Sequence, residues 1–422
     1  MGITEWVAVL VIFAVVYCLI KRYETRLVLI GSGLLLCLIS WNLVGGLNAF
    51  AKSMTNASLV MAICGSMGFA FVAKYTEADR SLVHYLSAPI RGLGIFLVPV
   101  CTAITFFVNI AIPSAAGCAA AVGSTLIPVM LRAGIKPAGA AAAVLAGTIG
   151  SYLSPGTSHN PYVANMAHID VMEFIGFHAP YSIMIGAFGV IGTLIMCILL
   201  GDGKGDKNAK IDESKAQKTD DFTPNPIKAL VPLVPITILV VGNLWCPFIK
   251  MGVAQAMVLG AVIALAVARP NPETFTKEFF NGCGKGYADV MGIIIAAGVF
   301  AAGLREAGLI DVFVQSLKES NEIARWGGSI GPFIMGVITG SGDAATLAFN
   351  ETVTPHAEDF GMSIQGLGGL AFLAGAAGRT ASPLAGVTIL VYGIAMVSPI
   401  EVIKRTALPM LAATIVCALI MV

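Results

Sequence analysis

Residues 339–345, Thr-Gly-Ser-Gly-Asp-Ala-Ala, interrupt a long apolar stretch with a glycine-broken tip that carries a carboxylate. Hydrocarbon tolerates neither open backbone nor a bare charge, so such a tip must be buried in protein or line a watery cavity. The surroundings are those of a membrane. Of the 422 residues 57% are hydrophobic and 12% charged, where soluble domains have about 25% charged residues. The chain reads as an all-α polytopic membrane protein, with the lipid bilayer as its first partner. A net charge of +1 argues against a nucleic-acid partner. The nine cysteines sit singly in apolar runs with no C-x-x-C pair, which gives no support to a metal centre or disulfide framework. The first segment follows an acidic residue and has no small-residue cleavage site, so it is expected to stay as a span.

Apolar runs at 5–20, 27–48 and 58–73 precede an amphipathic piece at 74–91, expected to lie on the interface. A paired run follows at about 92–131, interrupted at Pro113-Ser114, then a span at about 137–166 broken between Ser154 and Pro161, then a run at 178–200. Residues 201–227 mix both charge signs and read as a solvated linker. The second half has runs at 228–249, 251–268 and 287–304, an amphipathic piece at 304–326, a paired run at about 329–358, a broken span at about 364–396 and a last run at 406–422. Ser154-Pro155 and Ser382-Pro383 lie 228 positions apart, Glu173 and Glu401 also 228, Ser114 and Ser341 227. This near-constant offset points to duplication, with repeats at 1–200 and 228–422. If the paired runs are re-entrant hairpins, each repeat has five crossings, and an odd number inverts the second repeat. Basic residues sort accordingly. Lys21, Arg22, Arg26, Lys74, Arg80, Arg91, Arg132, Lys136, the linker lysines, Arg269, Lys277, Lys285, Lys404 and Arg405 fall on one face, against Lys52, Lys250, Arg305, Lys318 and Arg325 on the other. The richer face is then cytoplasmic and both termini periplasmic.

Four breaks meeting near mid-membrane would offer free N–H groups to an anion and free carbonyls and hydroxyls to Na⁺ or a proton. The first tip supplies Ser114, with Asn109 a turn earlier, and the first broken span supplies Ser154, Thr157, Ser158, His159 and Asn160. The second tip supplies Thr339, Ser341, Gly342, Asp343 and Thr346, and the second broken span Arg379, Thr380, Ser382 and Thr388. Arg379 is the sharpest of these, because a mid-span arginine is costly and its planar fork matches a carboxylate. It serves either to bind a substrate carboxylate or to pair with Asp343. Asp343 serves a cation near Ser341, a proton, or Arg379. His159 is either a proton-coupling group or a neutral core histidine, and Asn109 is grouped with these coupling candidates. Met172, Glu173 and Glu401 read as interfacial anchors, and His84, His168, His178 and His356 as interfacial residues at span ends.

Residues 296–304, the Thr339–Asp343 motif, Gly378-Arg379-Thr380-Ala381-Ser382-Pro383-Leu384-Ala385-Gly386-Val387 and Ser398–Thr406 resemble the anaerobic C4-dicarboxylate carrier (DcuC) family of the ion transporter superfamily. The resemblance is most specific in the second half and looser in the first. It implies inverted repeats, paired hairpins, elevator-type movement, and secondary transport of succinate, fumarate or malate across a bacterial inner membrane. Asp343 stands where the family pattern has an amide, and Ser158-His159-Asn160 also departs from it. On this reading the chain is no enzyme and has no cofactor beyond a coupling Na⁺ or H⁺. It binds a small carboxylate at Arg379, Ser114, Ser154, Thr157, Ser158, Asn160, Ser341, Gly342, Thr380 and Ser382, and forms a homodimer through its scaffold helices. A dicarboxylate needs two positive partners, and one arginine is found; helix N-termini, His159 or a cation must supply the second. The rivals are a cation/proton antiporter on the same fold, with Asp343 as ion ligand and Arg379 as modulator, and a carrier of another organic anion such as a monocarboxylate. An intramembrane enzyme finds no H-E-x-x-H or G-x-S-x-G motif, and a channel no carbonyl ring.

Overall fold

A chain in hydrocarbon must satisfy its backbone within each segment, and helix is the solution for single segments. The computed structural model describes residues 3–21, 23–87, 93–204, 222–310, 312 and 321–422, and among these no strand occurs. The first half comprises α1 (Ile3–Ile20), α2 (Thr25–Ile39), α3 (Leu43–Met54), α4 (Ala57–Tyr75), α5 (Ala78–Ser87), α6 (Gly94–Ala111), α7 (Ala115–Arg132), α8 (Pro137–Gly147), α9 (His159–Met166) and α10 (Val171–Leu199). The second comprises α11 (Pro226–Leu244), α12 (Val253–Ala268), α13 (Pro272–Glu306), α14 (Asn321–Thr339), α15 (Gly342–Thr352), α16 (Ile364–Thr380), α17 (Gly386–Ala395) and α18 (Pro399–Ile420). Seven of these, α4, α6, α7, α10, α11, α13 and α18, are long and apolar enough to cross a membrane.

Three boundaries differ from the sequence reading. The run at 27–48 is not one span: α2 stops at Ile39, Trp41 takes φ 59°, and the Asn42 side chain caps α3 by accepting from Gly45 N–H. Conversely, the charged stretch before 287 is helical. The Asn271 side chain caps the start of α13, Pro272 opens it, and the helix continues through a π-helical segment at Gly286–Met291. The linker begins later than residue 201, because Asp202 is fully buried. Residues 205–221 of the linker, Arg22, Arg91 and residues 313–320 of the second amphipathic piece, Lys318 included, lie outside the described residues.

In each half a hairpin, a broken helix and a long helix follow one another: α6–α7, α8–α9 and α10, then α14–α15, α16–α17 and α18. The packing between them also recurs. Gly150, after α8, lies so close to α6 that a methyl there would sit 1.9 Å from the Phe106 carbonyl oxygen. Gly378 in α16 stands likewise against α14, a methyl lying 2.1 Å from the Phe333 carbonyl oxygen. The broken helices therefore touch the hairpins backbone to backbone. Outside this body, α2 and α3 pack on the 292–306 part of α13, while α4 packs on its 272–285 part and on α12.

Asp202 sets the other end of α8. Its carboxylate takes Nε and Nη2 of Arg405 at 2.6 and 2.7 Å, and its carbonyl accepts from Lys136 N–H. Both side chains are buried, Arg405 at 3% exposure, so the pair ties α8, α10 and α18 together at one point. Losing one partner of a buried pair strands the other charge, at a cost of about 3–5 kcal/mol. Asp202→Ala is expected to lower the unfolding temperature in detergent sharply, and Asp202→Ala with Arg405→Met to recover part of the loss; an unchanged midpoint for the single variant would contradict this role. A second buried carboxyl, Asp79, begins α5 against α7. Burial pushes it up to about 6 from its ordinary value of 3.8. A raised folded-state value means that the stabilising contribution is full in acid and is lost as pH rises through about 6. The thermal midpoint of the wild type should therefore fall across that window, and Asp79→Asn should remove that component; an identical pH profile in the variant would contradict it.

Candidate functional site

The two breaks are built alike. At the first, the Ser154 hydroxyl accepts from Gly156 N–H at 3.4 Å; at the second, the Ser382 hydroxyl accepts from Leu384 N–H at 3.1 Å and donates to the Val337 carbonyl at 2.7 Å. Serine ahead of proline thus folds back on a backbone donor that the broken helix leaves unpaired. Both serines are buried. Thr157 donates to the Ser151 carbonyl in a short hydrogen bond, and Thr380 donates to the Ala376 carbonyl while its own carbonyl accepts from Thr406. These hydroxyls hold the breaks in shape.

The amides do the same. Asn109 donates to the Ile112 carbonyl at 2.9 Å and accepts from Ser151 N–H at 2.7 Å, joining the first hairpin tip to the first break. Asn160 donates to the Tyr152 and Ser154 carbonyls, both at 2.8 Å, and its oxygen meets His178 Nε2 at 3.0 Å. His178 also reaches the Ser182 hydroxyl and is fully buried, so it is a core residue of α10 and not the interfacial one expected from its position. Ser114 is exposed at the first tip and caps α7 by accepting from Gly117 N–H. Ser158 precedes α9 without a side-chain cap bond.

The second tip is seated on the second broken helix. Gly340 has φ 73°, which favours glycine, and a methyl there would lie 2.6 Å from the Leu384 carbonyl carbon. Gly342, the first residue of α15, would bring a methyl to 2.3 Å from the Gly375 carbonyl oxygen. Ser341 caps no N–H with its side chain; its own N–H donates to the Thr339 hydroxyl at 3.1 Å. This seating projects Asp343 from the first turn of α15 toward the other half of the chain. Its Oδ1 lies 3.8 Å from His159 Nε2, and its side chain is 63% exposed.

Three of the buried polar atoms that lack a protein partner belong to side chains at or near that contact. His159 Nε2, the Tyr152 hydroxyl and Arg379 Nε are all buried and unbonded. Arg379 donates through Nη2 to the Thr148 carbonyl at 3.1 Å, where α8 ends. It pairs with no carboxylate among the described residues, so the ion pair with Asp343 is not formed. His159 stacks on Phe372, with ring centroids 4.5 Å apart and planes 5° apart, and Tyr152 meets the same ring at 4.7 Å and 72°. Arg379, Asp343 and His159 are thereby gathered from three distant segments. Ser114, Thr157, Thr380 and Asn160 either stand apart or have their polar groups committed elsewhere. Tyr152 and Phe372 escaped the sequence reading because an aromatic residue in an apolar span reads as packing. So did the short hydrogen bond from Tyr162 to Glu351, which joins α9 to α15. Among the described residues no group of three His, Cys, Asp or Glu side chains clusters as a metal site.

Seven helices long and apolar enough to cross a membrane, with polar groups gathered at chain breaks between helices, define a polytopic membrane protein. Residues 50–422 match the family of C4-dicarboxylate anaerobic carriers (DcuC), and the chain belongs to that family. It is 28% identical over 451 residues to the anaerobic C4-dicarboxylate transporter DcuC of Escherichia coli K12, covering 97% of this chain and 94% of that one. A Haemophilus influenzae protein described as an uncharacterized transporter is 47% identical over 277 residues, 64% of this chain and 99% of its own. Among solved structures, the Alcanivorax borkumensis YdaH transporter, described as having an unusual topology, superposes with a TM-score of 0.57 at 12% identity over 88% of this chain and 86% of that one. That likeness concerns the fold.

Close backbone seating of the second tip has a direct test. Gly342→Ala should cost about 1–3 kcal/mol of unfolding stability, as overpacking does. The check is denaturant unfolding in detergent, and wild-type stability in the variant would contradict the seating.

Proposed function

We propose that the chain is a secondary active transporter of C4-dicarboxylates such as succinate, fumarate or malate, working in a bacterial inner membrane by ion-coupled symport or exchange. The observation that carries this reading is Arg379: a helix-borne arginine whose buried Nε has no protein partner and which pairs with no described carboxylate. A guanidinium so placed matches a substrate carboxylate. Membership of the C4-dicarboxylate carrier family supports the substrate class. The antiporter alternative needs Arg379 to modulate Asp343, and the two do not pair.

The hairpins and broken helices move as a unit against α2–α4 and α11–α13 in an elevator fashion, with dimer contacts made by the latter. The two halves are inverted, the linker is cytoplasmic and both termini are periplasmic. The recurring Phe106–Gly150 and Phe333–Gly378 contacts, spaced like the two Ser-Pro turns, support two related halves. Na⁺ or H⁺ is the coupling ion, with Asp343 and His159 nearest to that task.

Labelled succinate should accumulate in proteoliposomes, tested separately under Na⁺ and proton gradients and with internal dicarboxylate. Failure of every carboxylate to be transported or to compete would sink the reading. Arg379→Gln should reduce succinate uptake by about a hundredfold or more, the worth of a charge-assisted bidentate contact, while the protein still elutes as a folded species; wild-type affinity would refute the role. Cysteines introduced at Lys204 and Lys250 should label from opposite faces of the membrane, and labelling from one face would overturn the inversion.

A further inference from the structure

Away from the breaks, the outer face between α10 and α18 carries an open groove of about 390 Å³. Ala187, Ile191, Ile195 and Met196 of α10 and Leu408 and Ala412 of α18 line it, and the lining is wholly apolar. Ile191 is 57% exposed and Leu408 60%, so the groove opens outward. We infer that it holds an acyl chain of a membrane phospholipid whose anionic headgroup is bound at Lys136 and Lys404.

Two contacts give the groove its direction. A methyl on Gly192 would lie 2.6 Å from Pro409 Cβ, so α10 and α18 touch there. The buried Asp202–Arg405 pair joins the chain again just past the end of α10 and earlier in α18. The two helices therefore run antiparallel, and beyond Met196 and Leu408 the groove points to residues 200–204 and 401–405. Both helices are irregular where they touch: α10 is π-helical over Phe188–Gly192, and Pro409 stands inside α18. Such distortions interrupt the regular ridges by which helices interlock, and a furrow stays open between them.

Lysines stand at that end of the furrow. Lys404, its side chain 53% exposed, precedes Leu408 by one turn and so shares its stripe on α18. Lys136 Nζ donates to the carbonyl of Leu200, one turn beyond Met196, at 3.2 Å. The Lys136 N–H donates to the Asp202 carbonyl, which keeps it beside the Asp202–Arg405 pair. Lys204 is exposed in the turn that follows. The Asp202 carboxylate is taken by Arg405, and Glu401 is shared by Lys404 and Arg405. Lys136 has no carboxylate partner among the described residues. Positive charge is thus in excess at this end.

An apolar furrow that ends in lysines matches a phospholipid, with the tail along the furrow and the phosphate at the ammonium groups. A polar solute finds no partner along the furrow. A second copy docked here about an axis normal to the membrane would bring two lysine clusters together on the same side, where like charges repel.

The test measures, by native mass spectrometry of the full chain in detergent, the binding of palmitoyl-oleoyl phosphatidylglycerol and of the phosphatidylcholine with the same chains. Phosphatidylglycerol should bind more tightly, by about fivefold for each lysine engaged. Ala187→Trp, which fills the groove from an exposed position, should lose that bound lipid. The double variant Lys136→Gln with Lys404→Gln should bring the two lipids to equal affinity. Equal affinity in the wild type, wild-type binding in Ala187→Trp or a preference retained by the double variant would overturn the inference. So would an Ile191→Cys chain that crosslinks to a second copy on oxidation when the wild type does not, since the groove would then be a contact between copies. Should Ala187→Trp fail to fold, Ile195→Trp on the same stripe decides by the same loss.

Discussion

Breaking a helix inside a membrane frees backbone groups that no water can satisfy. Nearly everything in this structure follows from how those groups are met. Each break places a serine before a proline, and the serine hydroxyl turns back onto the N–H two residues on. Asn109 and Asn160 meet further groups at the first break, and Thr339 at the second tip. Glycine then lets the hairpin arms approach to backbone contact, so that the broken helices lean on hairpins and not on lipid. Once these demands are met, a handful of buried polar atoms remain without a partner, and Arg379 Nε and His159 Nε2 are among them.

This division explains which parts were legible in the sequence. The breaks and the tips could be read directly, because glycine, proline and serine in apolar runs have few explanations. Arg379 could be read because charge in hydrocarbon is rarely incidental. What could not be read was the distribution of hydrogen bonds. Ser382 and Thr380 look like ligands in one dimension; in three, their hydroxyls bond to Val337 and Ala376. Tyr152 and Phe372 carry the opposite lesson, since aromatic side chains in a span resemble packing until an unpaired hydroxyl or a stacked imidazole is seen. Asp202 looked solvated within a charged stretch, and its partner Arg405 lies 203 positions away. No local pattern foretells such a pair.

The charges in the site also fall differently from a simple pairing of opposites. Asp343 approaches His159 and leaves Arg379 to the Thr148 carbonyl. An arginine neutralised by an aspartate would have little attraction left for a substrate anion. In the proposed function this separation keeps Arg379 available, and close seating at Gly340 and Gly342 sets where α15 begins. The position of the second hairpin thus depends on the second broken helix. Its reach to the first, through His159 and through Glu351 on Tyr162, makes the site a joint product of both halves.

The most direct measurement is a cryo-EM map of the protein in nanodiscs with succinate bound. The account predicts ligand density in contact with the Arg379 guanidinium, between it and His159. Density well resolved elsewhere, with Arg379 unchanged in its contact to Thr148 alone, would contradict it.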